Sequence, residues 1–469
     1  MARTLIKNAT VISVDPAIGE IHGGDILVDG KKILEVGRNI SADSAKVLDA
    51  SNMIVIPGLV NAHIHTWEFT VRGIGADWVS KRDYHGNMHR NMATRYQADD
   101  VRIANWAGAL NQINHGATTI LDWCHIVRDA DMADAAIDGL EEAGIRAVFA
   151  RGTVKPPVVA GQQPYYEMPY PREEIRRLRT GRLASDNRLV TLAMAILGPD
   201  WGVYDACVQD IRLARDYGLL HSAHTWARKG QRMVEDGMWR LNKDGLLGPD
   251  HNIAHGNCLD DDELKMVLDA GCSISATNFT EMLNSERVAM LGRLLKHGAT
   301  PSLGTDCDPY FNSSMLWVMR HAFQHQREID NRTLNAQGRW PAVESEHATH
   351  TRDALEWATL GGAKALRMDH KIGSITPGKQ ADLVMINTRG MNIYPVLPGG
   401  DPVHAVVMFA EAADIDTVMI AGKVVKRGGK LKVARKKLAA LHENLLAARQ
   451  RIMSAGNYVY KPAPSGPRP

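Results

Sequence analysis

The sequence predicts an α/β protein: a distorted (β/α)8 TIM barrel with a composite β-sandwich domain formed from both chain ends. Two observations support this prediction. Short apolar runs alternate with helix-length amphipathic segments in the middle of the chain, and β-rich runs broken by turns occupy both ends. The length of 469 residues also exceeds one hydrophobic core, which stops growing near roughly 250–300 residues. A second, smaller domain is therefore expected.

The two ends of the chain share one sequence pattern: short β-rich runs broken by turns. Residues 1–56 contain "TLIKNATVISV", "GDILVDGKKILEVG" and the start of "AKVLDASNMIVIPGLV", and we assign them to the N-terminal part of the β-sandwich. Residues 376–469 contain "GKQADLVMINT" and "DTVMIAGKVVKRGGKLK", and we assign them to its C-terminal part plus a C-terminal helix and tail. Residues 57–375 would then form the barrel, inserted between the two parts.

Eight segments between the two ends have the length and apolar content of buried parallel strands. They are "VIPGLVNAH", "GATTILDW", "RAVFARG", "VTLAMAILGP", "LLHSAHT", "NIAHG", "CSISATN" and "TPSLGTD". Helical spacers such as "DADMADAAIDGLEEAG" and "DACVQDIRLARDYG" each end on glycine, as helix C-termini prefer. In a barrel of this kind the active site lies at the C-terminal ends of the strands.

Charge and composition exclude several classes of partner. Lys plus Arg total 55 against 53 for Asp plus Glu, and no basic run is long enough to follow a phosphate backbone. No stretch reaches about 18 apolar residues without a charge, so a membrane span is not expected. The five cysteines are odd in number and contain no C-x-x-C pair, which favours free thiols in a reducing compartment. We expect a cytoplasmic homo-oligomer that acts on a small molecule and binds neither nucleic acid nor membrane.

Ligand-type side chains follow the apolar part of several predicted strands, where a barrel would bring them into one pocket. They are His63 and His65 after the first strand, Asp122 and His125 after the second, His221 and His224 at the fifth, His255 at the sixth and Asp306 at the eighth. Side chains two positions apart on a strand point to the same side, so both imidazoles of His-x-His face one site. Imidazoles with one carboxylate suit Zn²⁺ or a similar divalent ion, which lowers the pKa of bound water toward about 7.

These residues lie in motifs that identify a family resemblance. "PGLVNAHIHT", "SAHTWA", "IAHGNCLDDDEL", "SLGTDCDPYFN", "IGSITPGKQADLVMI" and "DTVMIAGKVVKRGGKL" run in order over nearly the whole chain. The chain resembles the metal-dependent amidohydrolase superfamily, in the branch of cytosine deaminases, guanine deaminases and triazine hydrolases. The resemblance implies metal-ligand roles for His63, His65, His224 and Asp306. It also implies that His255 hydrogen-bonds the water or the substrate.

The resemblance further implies a single divalent metal ion. Members with two metals carry a lysine at the end of the fourth strand, and here that strand reads "VTLAMAILGPD" without one. Zn²⁺ is the favoured ion, and Fe²⁺, Co²⁺ or Mn²⁺ would fit the same donors.

One departure concerns proton transfer. Deaminases of this branch read His-x-x-Glu at the fifth strand, but the third residue after His224 is Ala227. Aligned from His221 instead, His224 would replace the glutamate; we favour His224 as the ligand because it ends the strand. Both alignments remove the acid. We therefore expect Asp306 to accept the proton of the water and His255 to stabilise the oxyanion or donate a proton.

Four further residues are candidate substrate contacts: Trp67, Glu68, His125 and Glu281. Trp67 and Glu68 begin a long aromatic loop after the first strand, which is suited to a lid or, equally, to a subunit contact. His125 and Glu281 follow the second and seventh strands. Their alternative roles are a packed loop histidine and a solvated or helix-capping glutamate.

The leading hypothesis is a mononuclear metal-dependent hydrolase that cleaves a non-peptide C–N bond by attack of metal-bound hydroxide. Its substrate would be a small aromatic or heterocyclic molecule, with an amide, urea or carbamate-like bond or a ring amine at the reacting carbon. The alternative is a hydrolytic deaminase or dechlorinase of an amino- or chloro-heterocycle. A third hypothesis is a catalytically inactive homologue that retains the metal, because a fold does not fix a function.

Overall fold

The computed structural model describes residues 3–78, 81–284, 289–340 and 349–460. Its β-structure divides into two sheets, one of nine strands and one of eight. The strands are β1 (Thr4–Ile12), β2 (Glu20–Asp29), β3 (Lys32–Gly37), β4 (Lys46–Asp49), β5 (Met53–Pro57), β6 (Leu59–Ile64), β7 (Ala117–Cys124), β8 (Arg146–Arg151), β9 (Val190–Ile196), β10 (His221–Thr225), β11 (His251–His255), β12 (Ser273–Ala276), β13 (Ser302–Leu303), β14 (Leu383–Asn387), β15 (Ile415–Ile420), β16 (Lys423–Arg427) and β17 (Lys430–Leu431).

Helices connect the strands of the second sheet and cover its outer face. The α-helices are α1 (Lys81–Tyr84), α2 (Ala98–Asn114), α3 (Ala130–Ala143), α4 (Arg172–Thr180), α5 (Tyr204–Asp216), α6 (Gly237–Lys243), α7 (Asp261–Asp269), α8 (Asn278–Asn284), α9 (Met290–Lys296), α10 (Met315–Ala336), α11 (Thr351–Glu356), α12 (Gly362–Ala365), α13 (Pro402–His404) and α14 (Arg435–Ala455). Short 3₁₀ or π turns cover Thr66–Val71, His85–His89, Met92–Arg95, Tyr165–Glu167, Trp357–Gly361 and Ala405–Phe409. In the described part of the chain, no helix combines the length and apolarity needed to cross a bilayer.

Strands β6 to β13 form the barrel, and each pairs in parallel with the next strand in sequence. The barrel closes where Asp306 forms a parallel bridge with Ile64. Gly304 makes this closure possible, because a Cβ atom there would lie 2.7 Å from Cβ of His63. The eight predicted strands and the (β/α)8 barrel are therefore confirmed.

Burial explains why the barrel strands lack the alternating pattern of a half-exposed sheet. Every residue of β7, from Ala117 to Cys124, is buried, because one face meets the barrel interior and the other meets helices. The helix that follows is fixed at both ends. Asp129 accepts a hydrogen bond from the Met132 backbone N–H, and Gly144 ends α3 with a left-handed φ of 73°.

The nine-stranded sheet draws its strands from both ends of the chain. Its order is β17-β16-β15-β14-β5-β1-β2-β3, with β4 paired to β1. The two ends meet where β5 pairs antiparallel with β14, in a register that places Pro57 opposite Leu383. Only Gly58 separates β5 from β6. One continuous β segment thus leads from the composite sheet into the barrel.

A buried ion pair joins the two sheets. Arg146, the first residue of β8, donates from Nε and Nη2 to the two carboxylate oxygens of Asp382 at 2.8 and 3.0 Å. Asp382 precedes β14 and also accepts a hydrogen bond from the Ala421 backbone N–H at 2.6 Å. Since both side chains are almost fully buried, removal of one partner would leave an uncompensated charge.

The C-terminal helix α14 packs against the first loop of the barrel. Arg449 donates to the backbone carbonyl oxygen of Arg72 at 2.9 Å, and Asn91 donates to that of Gly456 at 2.8 Å. The Tyr458 hydroxyl donates to the Ile74 carbonyl oxygen at 3.0 Å. The end of the described chain therefore holds the loop that follows β6.

Arg146→Met should lower the free energy of unfolding by about 3–5 kcal/mol, because it leaves Asp382 buried without its partner. Urea denaturation followed by circular dichroism measures the loss. Arg179→Met is the matched control, since Arg179 pairs with the half-exposed Asp186 and should cost less than about 1 kcal/mol. Equal losses in the two variants would contradict the assigned role of the Arg146 pair.

Candidate metal centre and cavity

The described residues contain one group of side chains with the composition and spacing of a metal centre: His63, His65, His224 and Asp306. Their potential ligand atoms all lie within 4.8 Å of one another, and all four side chains are buried. His63 and His65 lie at the end of β6, His224 near the end of β10, and Asp306 just after β13. Strands at opposite ends of the barrel sheet thus contribute to one cluster.

His224, and not His221, reaches this cluster. His221 begins β10 at the opposite end of the barrel, where its Nδ1 lies 2.8 Å from Nδ1 of His251. Its Nε2 lies 3.7 Å from the Asp250 carboxylate. His221 thus has partners of its own, so the geometry favours the alignment that starts from His224.

Hydrogen bonding within the cluster fits a cation. Nδ1 of His65 lies 2.7 Å from the Trp123 carbonyl oxygen, so this nitrogen donates and Nε2 is directed to the centre. Both ring nitrogens of His63 and Oδ1 of Asp306 are buried without a hydrogen-bond partner among the described residues. Nε2 of His63 lies 3.2 Å and Nε2 of His65 3.3 Å from this same carboxylate oxygen. Three imidazoles and one carboxylate are a donor set suited to Zn²⁺.

Burial favours the neutral form that metal binding requires for two of the three imidazoles. It lowers the pKa of His63, and it lowers the pKa of His224 well below its usual value, so both imidazoles are neutral near pH 7. Burial alone would raise the pKa of Asp306, but the adjacent imidazoles of His63 and His65 hold it well below its ordinary value. Neutral imidazoles and an ionised carboxylate are the forms that coordinate a metal.

His255 and Asp306 both adopt left-handed backbone conformations, with φ of 71° and 60°. Non-glycine residues seldom adopt this region, and they do so where surrounding contacts hold them. The turn after β12 makes two such contacts. Thr277 Oγ1 lies 2.6 Å from Nδ1 of His255, and the Thr280 hydroxyl donates to Oδ2 of Asp306 at 2.5 Å. One turn therefore positions both predicted catalytic side chains.

A small cavity opens beside the cluster at the C-terminal ends of the strands. Imidazole, indole and phenol rings dominate its wall. The lining residues are His65, Tyr84, His85, His89, His125, Lys155, Trp201, His224, Trp226, His255, Asp306, Cys307 and Tyr310. Such a wall suits a planar aromatic or heterocyclic ligand.

The loop after β6 supplies Tyr84, His85 and His89 to the wall of this cavity. The Tyr84 hydroxyl donates to Oε1 of Glu68 at 2.5 Å. Burial raises the pKa of Glu68 to about 8. Glu68 therefore lies behind Tyr84 and anchors it.

The four predicted substrate contacts occupy different positions. His125 lines the cavity, stacked on His65 with ring centroids 4.1 Å apart. Trp67 is fully buried and donates from Nε1 to Nδ1 of His125 at 2.9 Å, so it supports the wall from behind, as Glu68 supports Tyr84. This geometry supports a direct ligand contact only for His125.

Glu281, the fourth predicted substrate contact, lies outside the lining of this cavity. Its Oε1 accepts a hydrogen bond from the Thr277 backbone N–H at 2.7 Å, and Oε2 accepts one from Met290 at 3.3 Å. The physical reason is that α8 begins directly after the strand, which directs the carboxylate back onto the turn. The geometry therefore favours the helix-capping role for Glu281.

Asp122 and Ala227 are also structural. Asp122 accepts hydrogen bonds from the Thr66 backbone N–H and the Asn105 side chain. Ala227 is buried, and its backbone N–H and that of Trp226 donate to Asp200 at 2.7 and 2.8 Å. The Trp226 ring then stacks on His255, with centroids 4.8 Å apart. At the position where deaminases of the resembled branch carry an acidic side chain, this chain has Ala227, and Asp200 holds its backbone in place.

Lys155, Trp201 and Tyr310 line the cavity but were not singled out from the sequence. Lys155 follows β8 by four residues and Trp201 follows β9 by five, so both obey the rule that site residues lie after strands. Tyr310 lies within the motif "SLGTDCDPYFN". A search extended several residues past each strand end would have found all three.

Comparison with curated sequences identifies relatives that extend over most of the chain. A protein of Methanosarcina acetivorans, named 5'-deoxyadenosine deaminase, is 26% identical over 444 residues and covers 91% of this chain and 93% of its own length. A 5-methylthioadenosine/S-adenosylhomocysteine deaminase of Thermococcus kodakarensis is 27% identical over 434 residues, covering 90% of this chain and 93% of its own length.

Solved structures share the fold. A triazine hydrolase variant superposes with a TM-score of 0.82 at 23% identity, covering 96% of this chain and 100% of its own. An adenosine deaminase from Xanthomonas campestris with bound zinc gives a TM-score of 0.80 at 20% identity, covering 97% and 99% of the two chains. The model of the amidohydrolase family matches residues 54–425. That match extends over the whole barrel and the junction with the composite sheet, and the chain belongs to the amidohydrolase family.

Proposed function

We propose that this protein is a metal-dependent hydrolase that cleaves a non-peptide C–N bond of a small planar heterocycle. One observation carries the proposal: the buried cluster of His63, His65, His224 and Asp306 opens into a cavity walled by aromatic rings. Metal-type donors beside an aromatic-walled cavity at the C-terminal ends of barrel strands are what a hydrolase of this fold needs.

The four clustered residues would hold one divalent ion, with Zn²⁺ favoured by the three imidazole donors. Zinc in the related Xanthomonas campestris structure supports this choice. Such an ion acts as a Lewis acid and lowers the pKa of a water molecule bound to it to about 7. The chain's own contribution is to fix the donors and to exclude bulk water.

Asp306 and His255 are the proposed proton-transfer groups. Oδ1 of Asp306 has no hydrogen-bond partner in the described structure, so it can accept a proton from the attacking water. The second oxygen, Oδ2, is held by Thr280. The His255 ring is fixed between Thr277 and Trp226, in the position to stabilise negative charge that develops on the substrate.

Two bond types compete as the point of cleavage. The deaminase names of the sequence relatives favour loss of a ring amine as ammonia. Ala227 favours a cyclic amide or urea-like carbon instead, because a carbonyl polarised by the cation depends less on a dedicated acid for the leaving group. We give precedence to deamination, since relatives with this name extend along the chain, and we retain hydrolysis of an amide as the second candidate.

We also propose that the protein works in the cytoplasm. The five cysteines are all free, and four of them are buried, as expected for thiols kept reduced.

His224→Ala should weaken zinc binding by about 100-fold or more, because loss of even an outer partner of a ligand costs 10–100-fold. His221→Ala is the matched control from the same strand and should keep one zinc ion per chain. Zinc content after dialysis, measured by atomic emission on folded protein, tests the pair. Full zinc occupancy in His224→Ala, with loss in His221→Ala, would reverse the ligand assignment.

His255→Ala and Asp306→Asn should each lower kcat by about 10²–10⁴-fold, the contribution typical of a positioned acid or base. The assay measures ammonia release and ring opening on a panel of aminopyrimidines, aminopurine nucleosides and cyclic amides. Lys265→Met, a change of an exposed helix residue, should leave the rates unaltered.

Removal of the metal with a chelator should abolish turnover, and addition of Zn²⁺ or Co²⁺ should restore it. Turnover that persists both after chelation and in His224→Ala would contradict the proposed function.

A further inference from the structure

Lys155 is the one lysine in the cavity lining of the described structure, and this lining includes no arginine. It follows β8 in the segment "RGTVK" and is 6% exposed. Lysine is seldom buried to this extent without a partner of opposite charge, because its ammonium group loses its hydration. Burial accordingly lowers the pKa of Lys155 to about 8. Its position therefore needs an explanation that the metal cluster does not supply.

The Lys155 ammonium lies over the faces of two aromatic rings. The nitrogen lies 5.8 Å from the ring centroid of Trp123 and 5.7 Å from that of Trp201. Both distances are close to the outer limit of about 6 Å for a cation–π interaction. Two indole faces at this distance recover only part of the hydration that the cation gives up.

Among the described residues, the direct contacts of this ammonium are the two indole rings, and neither a carboxylate nor a hydrogen-bond acceptor is paired with it. Cys307 and Glu68 act on Lys155 only through space, and Oε1 of Glu68 accepts from Tyr84. The carboxylate of Asp306 is engaged by the histidines of the cluster and by Thr280. A cation thus faces the cavity with its ionic partner missing.

The net charge of the whole cavity also indicates an anionic partner for Lys155. Apart from Lys155 and Asp306, the lining consists of imidazole, indole, phenol and thiol groups. Asp306 offsets one of the positive charges that a divalent ion and Lys155 would bring together. The cavity then remains net positive, which favours an anion beside the reacting group.

The position of Lys155 also limits where that anion lies on the ligand. The Trp123 ring contacts the Lys155 ammonium, and it lies 4.0 Å from the His224 ring, between centroids. Lys155 and His224 both line the cavity, so a planar ring inside it could present its reacting carbon to the metal cluster and an acidic substituent to Lys155. A neutral heterocycle would leave the ammonium without a partner.

We infer that Lys155 forms an anion subsite, and that the substrate is a planar heterocycle carrying an acidic group such as a carboxylate. This inference rests on the proposed function, which supplies the reacting carbon at the metal cluster. Lys155 is then a specificity-determining residue: it selects anionic over neutral forms of one ring system.

Two probes of equal shape test the subsite: nicotinate, which carries a carboxylate, and nicotinamide, its neutral analogue. Calorimetry on the zinc-loaded native protein should give affinity for nicotinate about tenfold or more above that for nicotinamide, as expected for a hydrogen bond to a charged group. Lys155→Met should abolish this preference and leave nicotinamide affinity within about twofold of native.

Lys155→Arg keeps the charge and should keep the preference for nicotinate. Lys265→Met is the surface control and should behave as the native protein. Lys155→Met should fold with an unchanged or raised melting temperature, since it removes a buried charge without leaving a cavity.

An unchanged nicotinate preference in Lys155→Met, or no preference in the native protein, would overturn the subsite. The first of these results would assign carboxylate recognition to the metal. Normal zinc content and turnover with either result would leave the hydrolase proposal intact. A Lys155-dependent preference in a protein without metal-dependent turnover would overturn the hydrolase proposal alone.

Discussion

The backbone N–H groups of Thr305 and Asp306 both donate to the carbonyl oxygen of His63 at 3.0 Å, and the metal cluster depends on this seam. It joins the last barrel strand to the first, so it fixes the distance between a carboxylate and an imidazole that lie over 240 residues apart in sequence. The close approach at Gly304 keeps the two backbones in contact. The contacts that close the barrel consequently also fix the distances between the candidate metal ligands.

Around this seam, the chain supports each reactive side chain from behind. Trp67 holds His125, Glu68 holds Tyr84, Thr277 holds His255, and Asp200 holds the segment that carries Trp226. The supporting groups are buried and belong to elements other than those they support. Precise geometry at the barrel mouth therefore comes from contacts within the loop after β6 and between neighbouring βα loops, as preorganised sites require.

The sequence was informative where local pattern and chemistry coincide. Continuous apolar runs predicted the eight strands, and the motif around His63 and His65 predicted membership of the amidohydrolase family; both predictions are confirmed. The roles of individual side chains were harder to predict, because they depend on which way a loop turns. Glu281 and Trp67 follow strands, as Lys155 does, yet only Lys155 faces the cavity. The direction in which a side chain points after a strand end depends on tertiary contacts. The periodicity of the sequence carries no information about it.

The seam between β6 and β13 also has a consequence for biosynthesis. His63 leaves the ribosome long before Asp306, and the first histidines have no carboxylate partner until the eighth strand has been made. A complete coordination sphere can form only when the barrel closes. If the cluster binds a metal as proposed, its capture would therefore be a late step, and a nascent chain arrested before residue 306 would carry an incomplete site.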